Sequence, residues 1–278
     1  MNRQAELNNS YPLQLERKIR KYGLIIQTSL QNSMAYVSNF FFDSFFYAFV
    51  VFILLQLWCT IYSHGDRIAG YSLQQMVWYS VIAEMMTLSG SNIFSDLNND
   101  IKDGNIAYAL NKPYFYIWYQ LANGMGLIMI KLAVTAVIGV ILGMIYIGPL
   151  NGFAIIHLPF IALTVAGGLL TNFLALTCLG LTAFWLEENT AFFWIYQKLI
   201  FMLGMFLPID FFPEWLQKIA RVLPFSYVTY GPAKLVVAFS RPMFYQVFGM
   251  QLIYISVFLL SAIMIYQSGV KKLNVNGG

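Results

Sequence analysis

Long apolar stretches constrain this chain more than any other feature of its sequence. A helix needs about 20 apolar residues to cross about 30 Å of hydrocarbon, and six stretches reach that length. They lie near residues 33–61, 71–94, 117–147, 153–185, 190–209 and 246–268. Only 10% of the 278 residues are charged, against about 25% in soluble domains. The sequence therefore predicts an all-α integral membrane protein with six transmembrane helices, and we expect no nucleic-acid partner.

The positions of lysine and arginine predict the orientation, because these residues are enriched in short cytoplasmic loops. With the N-terminus inside, nine basic residues outside the spans face the cytoplasm and five face the exterior. The cytoplasmic set is Arg3, Arg17, Lys18, Arg20, Lys21, Lys102, Lys112, Lys271 and Lys272. An even number of spans then places both termini in the cytoplasm. We expect a multi-pass protein of the cell membrane, with residues 271–278 as a short cytoplasmic tail.

The first 32 residues differ from the rest of the chain in being polar and basic. Four apolar residues recur there at helical spacing, with basic residues on the opposite side. The apolar set is Leu15, Ile19, Tyr22 and Ile26, and the basic set is Arg17, Lys18, Arg20 and Lys21. This pattern is typical of an amphipathic helix on an anionic membrane surface. The alternative is a solvated basic tail.

A polar stretch over residues 95–113, SDLNNDIKDGNIAYALNKP, separates the second and third predicted spans. Ser95 or Asp96 is suited to cap a short helix, and Gly104 stands where that helix would end. The predicted orientation places the stretch in the cytoplasm. It is either a solvated connector or a rigid helix that a soluble partner contacts. The capping residues at both ends favour the second interpretation.

A second amphipathic region begins at Asp210, after the fifth predicted span. Pro213 is suited to open a helix and Pro224 to end it, because proline lacks an amide hydrogen and fixes its backbone angle. Apolar and charged residues fall on opposite sides of that window. The segment is too short and too charged to cross a bilayer, so the sequence predicts a helix at the outer interface.

No pattern in the chain indicates enzymatic chemistry. The glycine-rich loop that cradles phosphates is missing, so an ATP-driven protein would need its ATPase on another chain. The two histidines, His64 and His157, offer too few ligands for a metal site. We therefore predict no catalytic residue, metal or cofactor in this chain.

Four ionisable residues lie within the predicted spans, namely Asp43, Glu84, Lys131 and Lys198. Charges at membrane depth are costly and mark functional candidates. Asp43 and Lys198 fall near span ends, where snorkelling relieves the cost. Glu84 and Lys131 are nearer mid-span, and they either pair with each other or line a polar pathway. In the third span, Gly139 and Gly143 form a small-xxx-small pattern that allows close packing.

Three segments together resemble the permease subunit of type 2 (ABC-2 superfamily) ABC exporters. They read DIKDGNIAYALNKP from Asp100, AFWLEEN from Ala183 and FLPIDFFPEWLQKIARVLPFSYVTYGP from Phe206. They are similar to the family's cytoplasmic coupling segment, its link between spans four and five, and its external helical hairpin. The resemblance implies an N-terminal elbow helix over residues 12–26 and a six-span permease domain over residues 33–270.

The same resemblance implies the residues that contact the motor. These ATPase-coupling residues are Asp96, Asp100, Ile101, Asp103, Gly104, Ile106, Tyr108, Leu110, Glu187 and Glu188. It also implies a second permease subunit, identical or related, and two cytoplasmic ATPase subunits that hold the ATP and Mg. Membrane lipid surrounds the complex.

The function that follows is ATP-driven export of an amphipathic substrate such as a drug, antibiotic, peptide or lipid. The resemblance places it in the plasma or inner membrane of a bacterium or archaeon. The alternative is an ion-coupled secondary transporter, which would show internal repeats and broken half-helices. An intramembrane enzyme is a further alternative, but we find no catalytic pair for it.

Overall fold

The computed structural model describes residues 2–35, 37–64 and 67–276. Twelve α-helices account for most of this part of the chain, and it contains no β-strand. The helices are α1 (Asn2–Ala35), α2 (Val37–Ile61), α3 (Leu73–Leu88), α4 (Ile93–Lys102), α5 (Ile106–Leu110), α6 (Tyr116–Tyr146), α7 (Leu158–Leu181), α8 (Thr190–Ile200), α9 (Glu214–Ala220), α10 (Phe225–Val228), α11 (Tyr230–Val237) and α12 (Arg241–Asn276). The all-α prediction is confirmed.

Four segments are long and apolar enough to cross a membrane within the described ranges. They are Phe42–Ile61, Tyr116–Tyr146, Ile155–Phe184 and Arg241–Lys272. The other two predicted spans are shorter helices. α3 has 16 residues, which is about 24 Å of helix, and the apolar segment Thr190–Met205 joins α8 to one wide π turn. The structure thus supports four spans by length, and the count of six stays a prediction.

Local sequence explains where several helices begin and end. Ser72 starts α3 through a capping box, in which its hydroxyl and the Gln75 side chain each accept the other residue's amide hydrogen. Pro213 precedes the first residue of α9, as predicted, although α9 ends at Ala220, before Pro224. Gly104 ends α4 with a φ of +74°, the left-handed conformation that favours glycine.

One predicted boundary is wrong. Sequence reasoning expected Ser95 or Asp96 to cap the polar helix, but α4 begins at Ile93 and Asn92 precedes it without a side-chain capping bond. The reason lies in packing, because Ile93 and Phe94 are buried. The sequence predicts that these two residues end the second span, but they form the first turn of α4.

Close helix contacts surround the C-terminal half of α6. A Cβ atom at Gly139 would collide with Tyr47 of α2 and lie 2.8 Å from Val81 of α3. A Cβ atom at Gly143 would lie 2.8 Å from the Trp78 ring. The small-xxx-small pattern therefore serves packing, and it brings α2 and α3 against α6.

The N-terminal helix α1 follows the first part of α6. The Ser29 hydroxyl donates to the Asn123 carbonyl at 2.6 Å, and Gly126 leaves room for Ser29. Nearer the start of α6, the Lys21 ammonium donates to the Pro113 carbonyl at 2.9 Å. The described side chains of this helix begin at Glu16, so Leu15 lies outside them. The interfacial orientation of the predicted elbow stays a prediction.

Candidate functional site

A polar region opens where α3 gives way to α4. α3 ends at Leu88, and the residues that follow, Ser89 to Asn92, favour a break in the helix. The Ser89 hydroxyl contacts the Thr135 hydroxyl of α6 at 3.1 Å and bonds the Met85 carbonyl at 2.6 Å. These bonds fix the end of α3 against α6 and leave a gap beside it.

Two adjoining cavities occupy this gap, and we call them together the polar cavity. Their volumes are about 220 Å³ and 370 Å³, and the larger one falls within the range of small-molecule sites. Four residues line both, namely Asp43, Ser91, Asn92 and Lys131. Aromatic side chains of α2, α4 and α8 line the smaller one, namely Phe46, Phe94 and Phe193. The polar cavity therefore offers charged, amide and aromatic groups to one ligand.

An ion pair crosses the polar cavity. The Lys131 ammonium lies 3.1 Å from the Asp43 carboxylate, with 14% of the lysine side chain and 59% of the aspartate side chain exposed. The carboxylate thus keeps a free side toward the cavity. The lysine is mostly enclosed, and its charge is compensated by this one partner among the described residues.

This pairing differs from the one considered in the sequence. Lys131 pairs with Asp43, not with Glu84, which is only 3% exposed and does not line the polar cavity. One carboxylate oxygen of Glu84 has no hydrogen-bond partner in the described part of the chain. The sequence marks Asp43 as a charge inside an apolar run but places it near a span end, and its pairing with Lys131 was not predicted.

The helix α4 forms one wall of the polar cavity and one surface of the molecule. Phe94 and Ser95 line the smaller cavity and Asp96 the larger one. Along its length, the buried side chains of α4 pack on the end of α7, where Gly180 allows Leu97 to approach closely. The Phe94 ring stacks on Phe193 of α8 at 4.6 Å between centroids. α4 therefore joins the polar cavity, α7 and α8.

The ten predicted coupling residues divide into surface and packing positions. Exposed side chains belong to Asp96, Asp103, Tyr108, Leu110, Glu187 and Glu188, and Gly104 is exposed as well. Tyr108 is 74% exposed. Ile101 and Ile106 are buried and hold the segment in place.

Asp100 has a different role from the exposed members of that set. Its carboxylate accepts a hydrogen bond from the Tyr116 hydroxyl at 2.6 Å and one from the Gln120 amide at 3.3 Å. Both partners belong to the first turns of α6. Asp100 therefore ties α4 to α6 within the chain.

The structure brings the α4 surface and the link before α8 to the same end of the molecule. α4 contacts the short 3₁₀ turn Thr182–Phe184, which leads into Glu187 and Glu188. The Glu188 carboxylate accepts the amide hydrogen of Thr190 at 2.8 Å. Hydrogen bonds from Thr190, and more weakly the charge of Lys102 on α4, lower the pKa of Glu188. For Asp96, removal from water and then the charge of Asp100 raise the pKa.

A second polar cluster lies at the opposite end of α3, and we call it the Asp210 cluster. The Asp210 carboxylate accepts hydrogen bonds from the Tyr71 hydroxyl at 2.6 Å, the Tyr230 hydroxyl at 3.1 Å and the Lys234 ammonium at 2.6 Å. The Arg221 guanidinium lies 3.5 Å away. Burial alone would raise the pKa of Asp210, but the bonds from Lys234 and Tyr71 outweigh it and hold the pKa below its ordinary value.

Sequence reasoning placed Asp210 in an outer interfacial region but did not connect it with Tyr71, which lies 139 residues earlier. Within the described residues, no group of three or more His, Cys, Asp or Glu is arranged to hold a metal. His157 instead stacks on Phe239 with ring centroids 3.9 Å apart.

Comparison with known proteins adds one match. A family model described as ABC-2 family transporter protein matches residues 46–277, which is most of the chain and includes α3, α4, α6, α7, α8 and α12. The search of curated proteins finds no match.

Proposed function

The chain belongs to the ABC-2 transporter family, and from this premise we propose that it is the permease subunit of an ATP-driven exporter for an amphipathic compound. The observation that carries the proposal is the position of α4. One side of this helix lines the polar cavity, and the segment that follows it presents Asp103 and Tyr108 to a partner. A push on that surface would change the cavity wall directly.

The motor in this proposal is a pair of ABC ATPase subunits, which hold the ATP and Mg and contact the exposed positions of α4, α5 and the Glu187–Glu188 link. ATP binding closes the pair and moves α4 against α7 and α6. The permease then changes from inward-open to outward-open, and hydrolysis resets it. Such a switch needs two packed states with different affinity for the closed motor.

The polar cavity is the proposed substrate site. Its exposed carboxylate at Asp43 suits a cationic or hydrogen-bonding headgroup, whereas Phe46 and Phe193 suit an apolar portion. This combination favours an amphipathic drug, antibiotic, peptide or lipid. Asp43 and Lys131 would hold the polar end, and opening of their ion pair would accompany binding or release.

We also propose that α3 and the α8 segment complete six spans, with both termini in the cytoplasm beside α4. Contacts support this topology, because α12 runs antiparallel to α6 and parallel to α7, as a sixth span would run relative to a third and a fourth. Tyr116 at the start of α6 stacks on Tyr266 near the end of α12, and Phe160 near the start of α7 contacts Phe244 near the start of α12. Residues 1–32, 33–270 and 271–278 remain the proposed N-terminal segment, permease domain and tail. A second permease subunit, identical or related, completes the complex.

Co-purification of the full chain with the proteins of its neighbouring genes tests the proposal. An ATPase and a second permease subunit, if the complex is a heterodimer, should accompany it. In proteoliposomes made from that complex, ATP should drive export. Transport by the chain alone without nucleotide would contradict the proposal and favour an ion-coupled transporter.

Substitution of the exposed surface tests the coupling assignment separately. The double variant Asp103→Lys with Tyr108→Ala should lower ATP-driven transport by about tenfold, since a central interface side chain contributes about 1–2 kcal/mol. Membrane insertion should be unchanged, because both side chains are exposed. The matched control is Glu214→Lys at the far end of the molecule, which should transport normally. Equal loss in both variants would contradict the assignment.

A further inference from the structure

The basic residues of α1 line two grooves where this helix meets the start of α6. The larger groove has a volume of about 520 Å³ and includes Arg17, Arg20 and Lys21 in its wall. The smaller, about 480 Å³, includes Lys18, Lys21 and Trp118. No acidic side chain lines either groove among the described residues. The four basic side chains of α1 that line these grooves therefore have no acidic partner in the groove walls.

The position of this positive charge is fixed by the fold. The Lys21 ammonium donates to the Pro113 carbonyl at 2.9 Å, which holds the middle of the basic set against the turn before α6. Arg17 and Arg20 form no ion pair with the described residues, so their guanidinium groups are free to bind an external anion. Arginine binds phosphate oxygens with two parallel N–H donors, which favours a phosphate over a monatomic ion.

Aromatic and apolar residues continue the same walls. The Tyr114 and Tyr119 rings stack with centroids 4.5 Å apart, and Trp118 is partly exposed beside them. Leu24 and Ile25 follow the arginines along the larger groove, and Leu24 is exposed. A basic cluster followed by interfacial aromatics and apolar side chains is the arrangement that suits a lipid at the membrane surface. A soluble anion would leave the apolar half of the groove uncovered.

We propose that the larger groove binds an anionic phospholipid, with its phosphate between Arg17, Arg20 and Lys21 and an acyl chain along Leu24 and Ile25. The bound lipid would bridge α1 and the turn that connects α5 to α6. It would thereby hold that turn in place during movement of α4. This site needs only a membrane location, so it does not depend on the proposed substrate or on ATP coupling.

Native mass spectrometry of the full chain in neutral detergent tests the site. The probes are dioleoyl phosphatidylglycerol and dioleoyl phosphatidylcholine, which share acyl chains and differ in net charge. The wild-type chain should bind phosphatidylglycerol more tightly than phosphatidylcholine. Arg17→Gln with Arg20→Gln should reduce that affinity, on the order of fivefold for each charge removed, and should reduce the affinity for phosphatidylcholine less, because its quaternary ammonium already compensates the phosphate charge. Equal binding of the two lipids by the wild type would overturn the proposal.

Two controls separate this site from other causes. Lys271→Gln with Lys272→Gln removes the same charge from an exposed pair in α12 and should retain the preference. If it loses as much affinity as the arginine variant, the effect is net charge and the proposal fails.

Soluble glycerol 3-phosphate distinguishes a free phosphate from a lipid. Glycerol 3-phosphate should not displace the lipid at equal concentration. Leu24→Asn should weaken binding of the lipid and leave any binding of glycerol 3-phosphate unchanged. Displacement by the soluble phosphate would overturn the lipid assignment.

Both arginines are exposed, so the double variant should fold, and circular dichroism with thermal melting checks this. Should the double variant unfold, the single variants Arg17→Gln and Arg20→Gln give the same test at about half the effect on a logarithmic scale. A single variant that folds and binds phosphatidylglycerol with wild-type affinity would contradict the role of that arginine.

Discussion

The two polar regions at the ends of α3 are built in opposite ways. In the Asp210 cluster one carboxylate accepts three hydrogen bonds within 3.1 Å, and only 18% of its side chain is exposed. In the polar cavity, the Asp43 carboxylate has one ion pair at 3.1 Å and 59% of its side chain is exposed. The first region is closed around its charge, and the second leaves its charge accessible.

This difference indicates which end is suited to move. Rearranging the Asp210 cluster would break several charge-assisted hydrogen bonds at once, each of which contributes about 1.5–3 kcal/mol. Opening the Asp43–Lys131 pair breaks one ion-pair contact and no network of hydrogen bonds, which costs less. We infer that the Asp210 cluster acts as the fixed end and that the cavity beside α4 is the adaptable end.

The largest expected effect comes from removing the carboxylate at each end. Asp210→Asn leaves the Lys234 ammonium without its partner and should lower the free energy of unfolding by about 3 kcal/mol. The matched variant Asp43→Asn removes one ion-pair contact where Asp210→Asn removes several hydrogen bonds, so it should lower the free energy of unfolding by less, while impairing substrate binding. Thermal melting of both variants in the same detergent measures the contrast. Equal destabilisation would remove the distinction between the two ends.

Close packing at two glycines of α7 gives a second contrast. A Cβ at Gly168 would lie 2.5 Å from the Val228 carbonyl oxygen, whereas a Cβ at Gly180 would meet Leu97 at 3.0 Å. The backbone of α10 cannot move aside as a leucine side chain can. Gly168→Ala should therefore lower the free energy of unfolding by about 1–3 kcal/mol, and Gly180→Ala should lower it by less. Denaturation curves test this order, and the reverse order would show that α4 is the more rigidly held partner.

The bond between α4 and α6 should matter more for transport than for stability. Tyr116→Phe removes the hydroxyl that donates a hydrogen bond to the Asp100 carboxylate at 2.6 Å. The loss should lower the free energy of unfolding by about 1 kcal/mol. ATP-driven transport should fall further than this loss of stability explains, because α4 would move without carrying α6. Parallel melting and transport assays decide the point. A variant that melts lower but transports normally would exclude Asp100 from coupling.

The smallest effect concerns pH, and it has opposite signs at the two ends. The pKa of Asp210 is lowered, so its stabilising contribution is present above its ordinary value of 3.8 and is lost as pH falls through the lower folded value. The pKa of Asp96 is raised, so stability decreases as pH rises from 3.8 through its folded value. Melting curves of Asp210→Asn and Asp96→Asn against pH should each lose one of these dependences. Unchanged profiles would contradict the assigned causes.

Sequence patterns predicted features that depend on neighbours in the chain. The helix ending at Gly104 and the start of α9 after Pro213 follow from backbone restrictions of single residues. The second and fifth predicted spans were too long for a local reason as well. The second ends at the break from Ser89 to Asn92, and the fifth ends in a π turn at Met205, shortly before Pro208.

Partners distant in sequence could not be predicted. Whether Lys131 pairs with Asp43 or Glu84 depends on the rotation of α2 and α3 about α6, which periodicity alone does not determine. The Asp210 cluster joins residues from three separate segments, and none of its members looks unusual in its own segment. Asp100 matched a family motif, yet its hydrogen bonds to α6 appear only once the helices are packed.

Amide hydrogen exchange in the presence of the partner ATPase compares both ends of the molecule in one experiment and so tests whether the motor acts at the α4 end. Exchange should slow across residues 102–110 and 186–190 when the ATPase binds, and it should stay unchanged across residues 209–223. Addition of a non-hydrolysable ATP analogue should then alter exchange in α4 and beside the polar cavity. Protection confined to residues 209–223, with none in the segment around Tyr108, would contradict coupling through α4.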